Sequence, residues 1–247
     1  MRFWVVSIFP ELIESSIISV LKKAIERGII SLKTVNPRDF TKDRHRTVDD
    51  EPYGGGSGMV MKVEPIVKSI EYVRSLDPVT RVILLTPRGK VFNQDLAREY
   101  AKLSSLTFIC GRYEGVDDRV SYFVDEELSI GDFILTGGEY AFLAVFDAIA
   151  RIVPGVLGDE YSLCEESFNE YLLEYPQYTR PEEFMGYKVP DVLRSGNHEE
   201  IRRWRRFMRL KLTFERRPDL LVKADLVEED RRFLEDILKG KDYGGKV

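Results

Sequence analysis

Cysteine is almost missing from this chain. Cys110 and Cys164 are the only two in 247 residues, far apart and without the paired spacing of metal ligands. That excludes a disulfide framework and suits a reducing cytoplasm, and no residue group nominates a metal site. Long apolar runs are missing as well. The richest one, "AFLAVFDAIARIV", is broken by Asp147 and Arg151 and cannot span a bilayer as a hydrophobic helix. The opening "MRFWVVSIFPELIESS" meets Pro10 and Glu11 at once, so it reads neither as a signal peptide nor as a membrane anchor. Excess positive charge is lacking too. A net charge of −5 argues against coating nucleic acid through overall charge, although local clusters can still bind it. Repeats and low-complexity tracts are absent. What is present is 43% hydrophobic residues, enough to bury a substantial core. The length fits one large domain, or one of ordinary size with an appendage.

The apolar pattern alternates between two periods. "RFWVVSI" reads as a buried strand, and Pro10 opens a helix with Ile13, Ile17, Leu21 and Ile25 on one face, ending at Gly28. "IISLKTV" reads as the next strand. Residues 37–62 are polar, basic and then glycine-rich, which marks a long loop. "PIVKSIEYV" and "NQDLAREYAKL" read as helices, and "RVILLT" and "LTFIC" as strands. A strand or turn region over 122–135 precedes an apolar helix over 138–153, and "PGVLGD" closes the domain. Alternation of this kind implies an α/β domain with a largely parallel sheet. Residues 159–180 are acidic, carry Pro176 and show little periodicity, as a linker would. Beyond them "SGNHEEIRRWRRFMRLKL" reads as a helix with Asn197 as N-cap and Glu200 as its reciprocal partner. Its apolar stripe is Ile201, Trp204 and Met208, and Arg202, Arg205, Arg206 and Arg209 cover the other side. "LVEEDRRFLEDILKG" is a second amphipathic helix.

Several motifs carry chemistry. "DDEPYGGGSGMVMK" (49–62) contains Gly54, Gly55, Gly56 and Gly58, which let backbone amides approach a ligand as phosphate loops do, or simply make a flexible turn. It lacks the Walker ending and does not fit the dinucleotide fingerprint. "LTPRG" (85–89), "CGRYEG" (110–115) and "SIGDFILTGG" (129–138) each follow an expected strand end, where ligands bind in open parallel sheets. Arg151 sits in an apolar helix four residues after Asp147. It is either half of an intrahelical ion pair or an anion-stabilising guanidinium on a rigid element. Residues 199–217 hold eight Lys/Arg against three Glu, with Arg outnumbering Lys seven to one. Arginine suits bidentate phosphate contact, and "RDFTKDRHR" (38–46) adds a second basic patch, so a polyanion clamp is expected.

Together with "RIVPGVLG", "LLEYPQYTRP" and "VLRSGNHEEIRRWR", these motifs resemble the bacterial tRNA (guanine-N1)-methyltransferase family of the knotted SPOUT superfamily, in the family's order from about Phe9 to about Leu221. The resemblance implies an α/β fold: a SPOUT-type parallel sheet with a deep C-terminal trefoil knot, plus a small all-helical C-terminal domain. It implies a methyltransferase domain over 1–159, a flexible catalytic linker over 160–176 and a tRNA-binding domain over 177–247. The implied reaction is methyl transfer from S-adenosyl-L-methionine to N1 of guanosine 37 in tRNA, by a cytoplasmic homodimer whose active site draws on both subunits. A ribose 2′-O-methyltransferase of the same superfamily and a non-catalytic RNA-binding module are the alternatives.

The same resemblance assigns residues. Cofactor contacts fall on Leu85, Thr86, Pro87, Gly89, Gly111, Tyr113, Glu114, Ile130, Gly131, Asp132, Phe133, Ile134, Leu135, Gly137 and Gly138. Contacts with the anticodon stem-loop fall on Arg44, His45, Gly55, Gly56, Ser195, Asn197, His198, Arg202 and Arg205. Arg151 matches the family's arginine on the O6 side of guanine. The general base is the residue before "SF", usually aspartate in the family and Glu166 here. Glutamate keeps the carboxylate but adds a methylene and a rotor.

Overall fold

A computed structural model describes residues 1–158 and 165–243. Cys164 and the expected boundary at 159/160 lie outside them. The chain divides into two compact units, Met1–Gly158 and Asp159–Val247.

The first unit is built on five parallel strands: β1 (Arg2–Val6), β2 (Ser31–Val35), β5 (Arg81–Val91), β6 (Ser105–Cys110) and β7 (Glu126–Ser129), in the order β2-β1-β6-β5-β7. Two further strands, β3 (Asp49–Asp50) and β4 (Val60–Met61), form a short antiparallel hairpin inside the loop expected over 37–62. β1, β6 and the first half of β5 (Val82–Leu85) are buried on both faces, which is why they read as continuous apolar runs rather than as alternation. Phe3, Val5, Ile83, Leu85, Leu106 and Phe108 point into one core layer. That layer is closed by α1 (Pro10–Ser16), α2 (Ser19–Glu26), α4 (Gln94–Ala101) and α5 (Gly138–Ala150). Trp4, Val6, Val82, Leu84 and Ile109 point the other way, under α3 (Val63–Leu76).

The single helix expected from Pro10 to Gly28 is broken. The hydroxyls of Ser15 and Ser16 both bond back to the Leu12 carbonyl, at 3.1 and 2.7 Å, and Ile17 turns extended. Such back-bonding offers the chain an alternative to the helix ladder, and a new helix starts at Ser19. β5 runs past the expected "RVILLT" to Val91. Leu85 and Lys90 both pair with Leu128, so residues 86–89 leave the ladder as an excursion from a continuing strand.

The second unit contains α6 (His198–Arg216), α7 (Pro218–Leu221) and α8 (Glu228–Leu238), packed around Leu172, Phe207, Leu210, Phe233 and Ile237. It is not all-helical. Strands β8 (Glu183–Phe184) and β9 (Tyr187–Lys188) form a hairpin, because Met185 and Gly186 both take positive φ (53° and 84°), as a type I′ turn requires. The helix starts as expected, with Asn197 Oδ1 accepting the Glu200 N–H at 3.3 Å. The reciprocal bond is replaced: Glu200 accepts from Tyr243 Oη at 2.7 Å and from Arg203 at 3.2 Å. Burial, with that carboxylate beside it, pushes the Tyr243 hydroxyl up to about 12. The buried stripe is Trp204, Phe207 and Leu210, with Met208 at its margin. Arg209 is buried rather than solvated, its Nη2 donating to the Asn169 carbonyl at 2.9 Å.

Candidate active site

At the carboxyl ends of β6 and β7, beside the mid-strand excursion of β5, lies a cavity of about 400 Å³. Its walls are residues 84–88 of β5, the 111–116 segment and residues 128–138, which lead into α5. Every residue expected at the cofactor lines it except Gly89 and Asp132. Asp132 is exposed. Gly89 has a packing task, because a Cβ there would stand 2.3 Å from the Leu128 amide nitrogen. Gly138 likewise permits close approach: a Cβ would meet Cys110 Cα at 2.8 Å, and its N–H bonds the Gly111 carbonyl at 2.8 Å. Cys110 itself is fully buried, and burial drives its thiol well above the usual range, so it remains protonated.

Sequence reading missed Arg88 and Arg112 among the lining residues, and it missed what stands behind Arg112. Arg112 Nε donates to Glu139 Oε2 at 2.9 Å, and Ser7 Oγ donates to Glu139 Oε1 at 2.6 Å. Glu139 and Ser7 are fully buried. The one available signal was a glutamate immediately after two glycines at the start of an apolar helix.

The glycine-rich loop joins this site through its second half. Glu114 N–H bonds the Met59 carbonyl, Met61 N–H the Gly115 carbonyl and Asp117 N–H the Met61 carbonyl, at 2.9–3.0 Å. A Cβ on Gly58 would lie 2.4 Å from Glu114 Cγ, so that bare backbone makes room for a cavity-lining carboxylate. Gly55 and Gly56 are exposed, as are Arg44 and His45. Arg151 occupies the C-cap of α5, half-buried, with its N–H on the Asp147 carbonyl at 3.1 Å. A cation is favoured at that end of a helix.

In the second unit, residues 165–175 pack against α6 instead of lying loose. Leu172 and Tyr175 are buried, and Leu173 N–H bonds Thr213 Oγ1 at 2.8 Å. The carboxylates of this segment are differently engaged. Glu165 accepts from Tyr175 Oη, Glu170 from Arg206 Nη1 at 2.7 Å, and Glu174 from Gln177 Nε2 at 2.7 Å. Glu166 is half-buried, and its carbonyl accepts the Asn169 N–H at 3.2 Å. Phe168, Glu170 and Tyr171 all hold positive φ (70°, 53° and 57°), a cluster of left-handed non-glycine residues that concentrates backbone strain beside Glu166.

A second cavity, of about 520 Å³, is lined by His198, Arg202 and Arg205 together with Tyr175, Tyr178 and Trp204. Ser195 and Asn197, expected at RNA with them, stand outside that lining and cap the helix start instead. Ser195 Oγ accepts the Asn197 N–H at 3.1 Å.

A parallel α/β unit with a cavity at its strand ends, followed by a unit carrying an arginine-rich helix, has the parts an enzyme acting on nucleic acid needs: a small-ligand site and a cationic surface. The family described as "tRNA (Guanine-1)-methyltransferase TrmD" matches residues 1–223, and the chain belongs to it. It is 56% identical over 240 residues to the tRNA (guanine-N(1)-)-methyltransferase of Dictyoglomus turgidum, covering 97% of each chain. The protein of the same name from a Sulfurihydrogenibium species is 50% identical over 244 residues, 98% of this chain and 96% of that one. That of Caldanaerobacter subterraneus is 52% identical over 237 residues, 96% and 98% respectively.

Proposed function

We propose that this chain methylates N1 of guanosine 37 in tRNA, drawing the methyl group from S-adenosyl-L-methionine. The observation that carries the reading is family membership across both units, joined to a strand-end cavity of the size small cofactors occupy. The residues fit that donor. Leu85, Ile130, Leu135 and Ala141 offer apolar wall for a purine, Glu114 a carboxylate for a cationic centre, and the glycines an approach to backbone. Bound there, S-adenosyl-L-methionine supplies a methyl group already activated as a sulfonium.

The chain must then act on the guanine. N1 carries a proton, and its lone pair is delocalised into the ring, so the neutral base is a poor nucleophile. A general base has to accept that proton while a cation balances the charge gathering on O6. We assign the first role to Glu166 and the second to Arg151. The strained turn at 168–171 supports the first assignment, and the C-cap position on a rigid helix the second. We assign contacts with the single-stranded loop that carries the flipped base to the exposed Arg44 and His45 of the first unit and to His198, Arg202 and Arg205, which line the cavity of the second.

A trefoil knot around the cavity, a homodimer with a composite site, a catalytic linker over 160–176 and a cytoplasmic location complete the proposal. Exposed apolar residues on the first unit (Tyr122, Phe133, Ile134, Tyr140) are consistent with a face that a second copy covers.

Mass spectrometry of nucleosides from tRNA incubated with the chain and S-adenosyl-L-methionine should find 1-methylguanosine. A 2′-O-methylated nucleoside in its place would transfer the reading to ribose methylation. Glu166→Gln should abolish turnover while leaving donor affinity within about twofold, since the amide cannot take the proton but preserves shape. Single-turnover methylation near the wild-type rate would remove Glu166 from the mechanism.

A further inference from the structure

The Ser7–Glu139–Arg112 chain joins three segments that the sheet alone leaves separate: the end of β1, the loop after β6 and the start of α5. Arg112 lies between cavity-lining residues Gly111 and Tyr113, and its Nη1 reaches the Thr136 carbonyl at 3.4 Å on the opposite wall. Its guanidinium rests over the Phe9 ring, 4.6 Å from the centroid, and Phe9 N–H is held by Ser7 Oγ at 3.0 Å. A backbone bridge between Arg112 and Gly137 runs alongside. Gly137 is bare for this reason: a Cβ would sit 2.2 Å from Arg112 Nε and 2.6 Å from Glu139 Oε2. Glu139 lines no part of the cavity, yet it is a fully buried carboxylate in a region of low dielectric, where its ion pair with Arg112 is strong and directional.

We propose that Glu139 is a positioning residue for the methyl donor, locking the 111–116 and 130–138 walls in register through Arg112. The inference rests on the cavity being the donor site. Arg112 alone on a flexible loop would sample many orientations. Anchored to Glu139, itself held by Ser7, it has one, and a site held by a rigid supporting shell binds without first paying to order its walls.

The test is calorimetric titration of S-adenosyl-L-methionine into the full chain and two variants, Glu139→Gln and Ser7→Ala, with Asp77→Asn as a destabilised control remote from the cavity. The expected result is donor affinity weakened on the order of tenfold in Glu139→Gln and a few-fold in Ser7→Ala. At saturating donor, kcat and the KM for tRNA should stay within about threefold of wild type. The control should lose thermal stability but keep its affinity, which separates positioning from stability. Should Glu139→Gln fail to fold, Ser7→Ala carries the test, because it leaves the Arg112 pair intact and loosens its anchor. Wild-type affinity in the folded variants overturns the positioning role alone. No binding by the wild type overturns the donor site itself, and the inference with it.

Discussion

Asp77 is the most heavily committed single side chain in the first unit. It accepts from Arg2 Nε at 2.7 Å and Nη2 at 2.9 Å, from Ser105 Oγ at 2.6 Å and from Trp4 Nε1 at 3.1 Å. The Arg2 guanidinium, ahead of the opposing effect of burial, holds its carboxyl well below the usual carboxylate range. A group whose folded pKa is depressed stabilises the fold above its unfolded value and ceases to do so as pH falls through the folded one. The contribution is therefore complete above about pH 5 and drains away below about pH 4. Asp77→Asn should lower the unfolding free energy by about 2 kcal/mol at neutral pH, the loss being that of charge-assisted hydrogen bonds at a buried carboxylate while the half-exposed Arg2 stays solvated, and should flatten the acid limb of the stability profile. Denaturant titrations at pH 7 and pH 3 check both, and an unchanged acid limb would assign it to other carboxylates. Residues like this do not stand out in the sequence, where neither Asp77 nor Glu139 belongs to a motif with an assigned role. Burial and partners 75 and 132 residues away set them apart.

Among elements, the strands and the long helices were legible because each buries a face with a simple period. What failed were breaks decided by local hydroxyls, as at Ser15 and Ser16, and pairings that depend on a distant strand, as in β5. The arginines of α6 show a third limit. Periodicity places Arg206 on the face away from the apolar stripe, but it forms a two-pronged pair with Asp230 of α8 (2.8 Å and 2.8 Å) and also reaches Glu170. Asp230 is buried, and it additionally accepts the Val227 N–H at 3.0 Å, stopping the start of α8 from fraying. Asp230→Asn should cost about 3 kcal/mol, confined to the second unit. Hydrogen exchange should show faster opening at 203–210 and 228–238 with β5 and β6 unchanged. Equal protection in wild type and variant would mean that the helices are held by their apolar contacts alone.

For the molecule as a whole, charge counted along the sequence overstates the charge offered to RNA. Arg203, Arg206, Lys211 and Arg217 lie within 2.8 Å of an acid, and Arg205 and Arg209 have one at 3.5–3.6 Å. Within 199–217, Arg202 and Arg216 make no ion pair among the described residues. In the other basic patch Arg46 pairs with Asp39, while Arg44 is exposed and makes no ion pair among the described residues. Engagement of every cation in 199–217 would give a log–log salt dependence of tRNA affinity with slope near −6, whereas Arg44, Arg202, Arg216 and a neighbour or two imply about −3. Filter binding between about 50 and 200 mM salt distinguishes the two. A steep slope would mean that tRNA breaks the internal pairs. The excursion at 86–89 bears on how such a chain can vary over evolutionary time. It is bracketed by two pairings to the same residue, Leu85 and Lys90 with Leu128, so its length is pinned at both ends. One residue inserted or deleted there would slip the second pairing and turn the side chains of Lys90 and Val91 to the opposite faces of the sheet. Most surface loops absorb such changes at little cost. This one can exchange side chains but not length, so diversification at this wall of the cavity has to proceed by substitution.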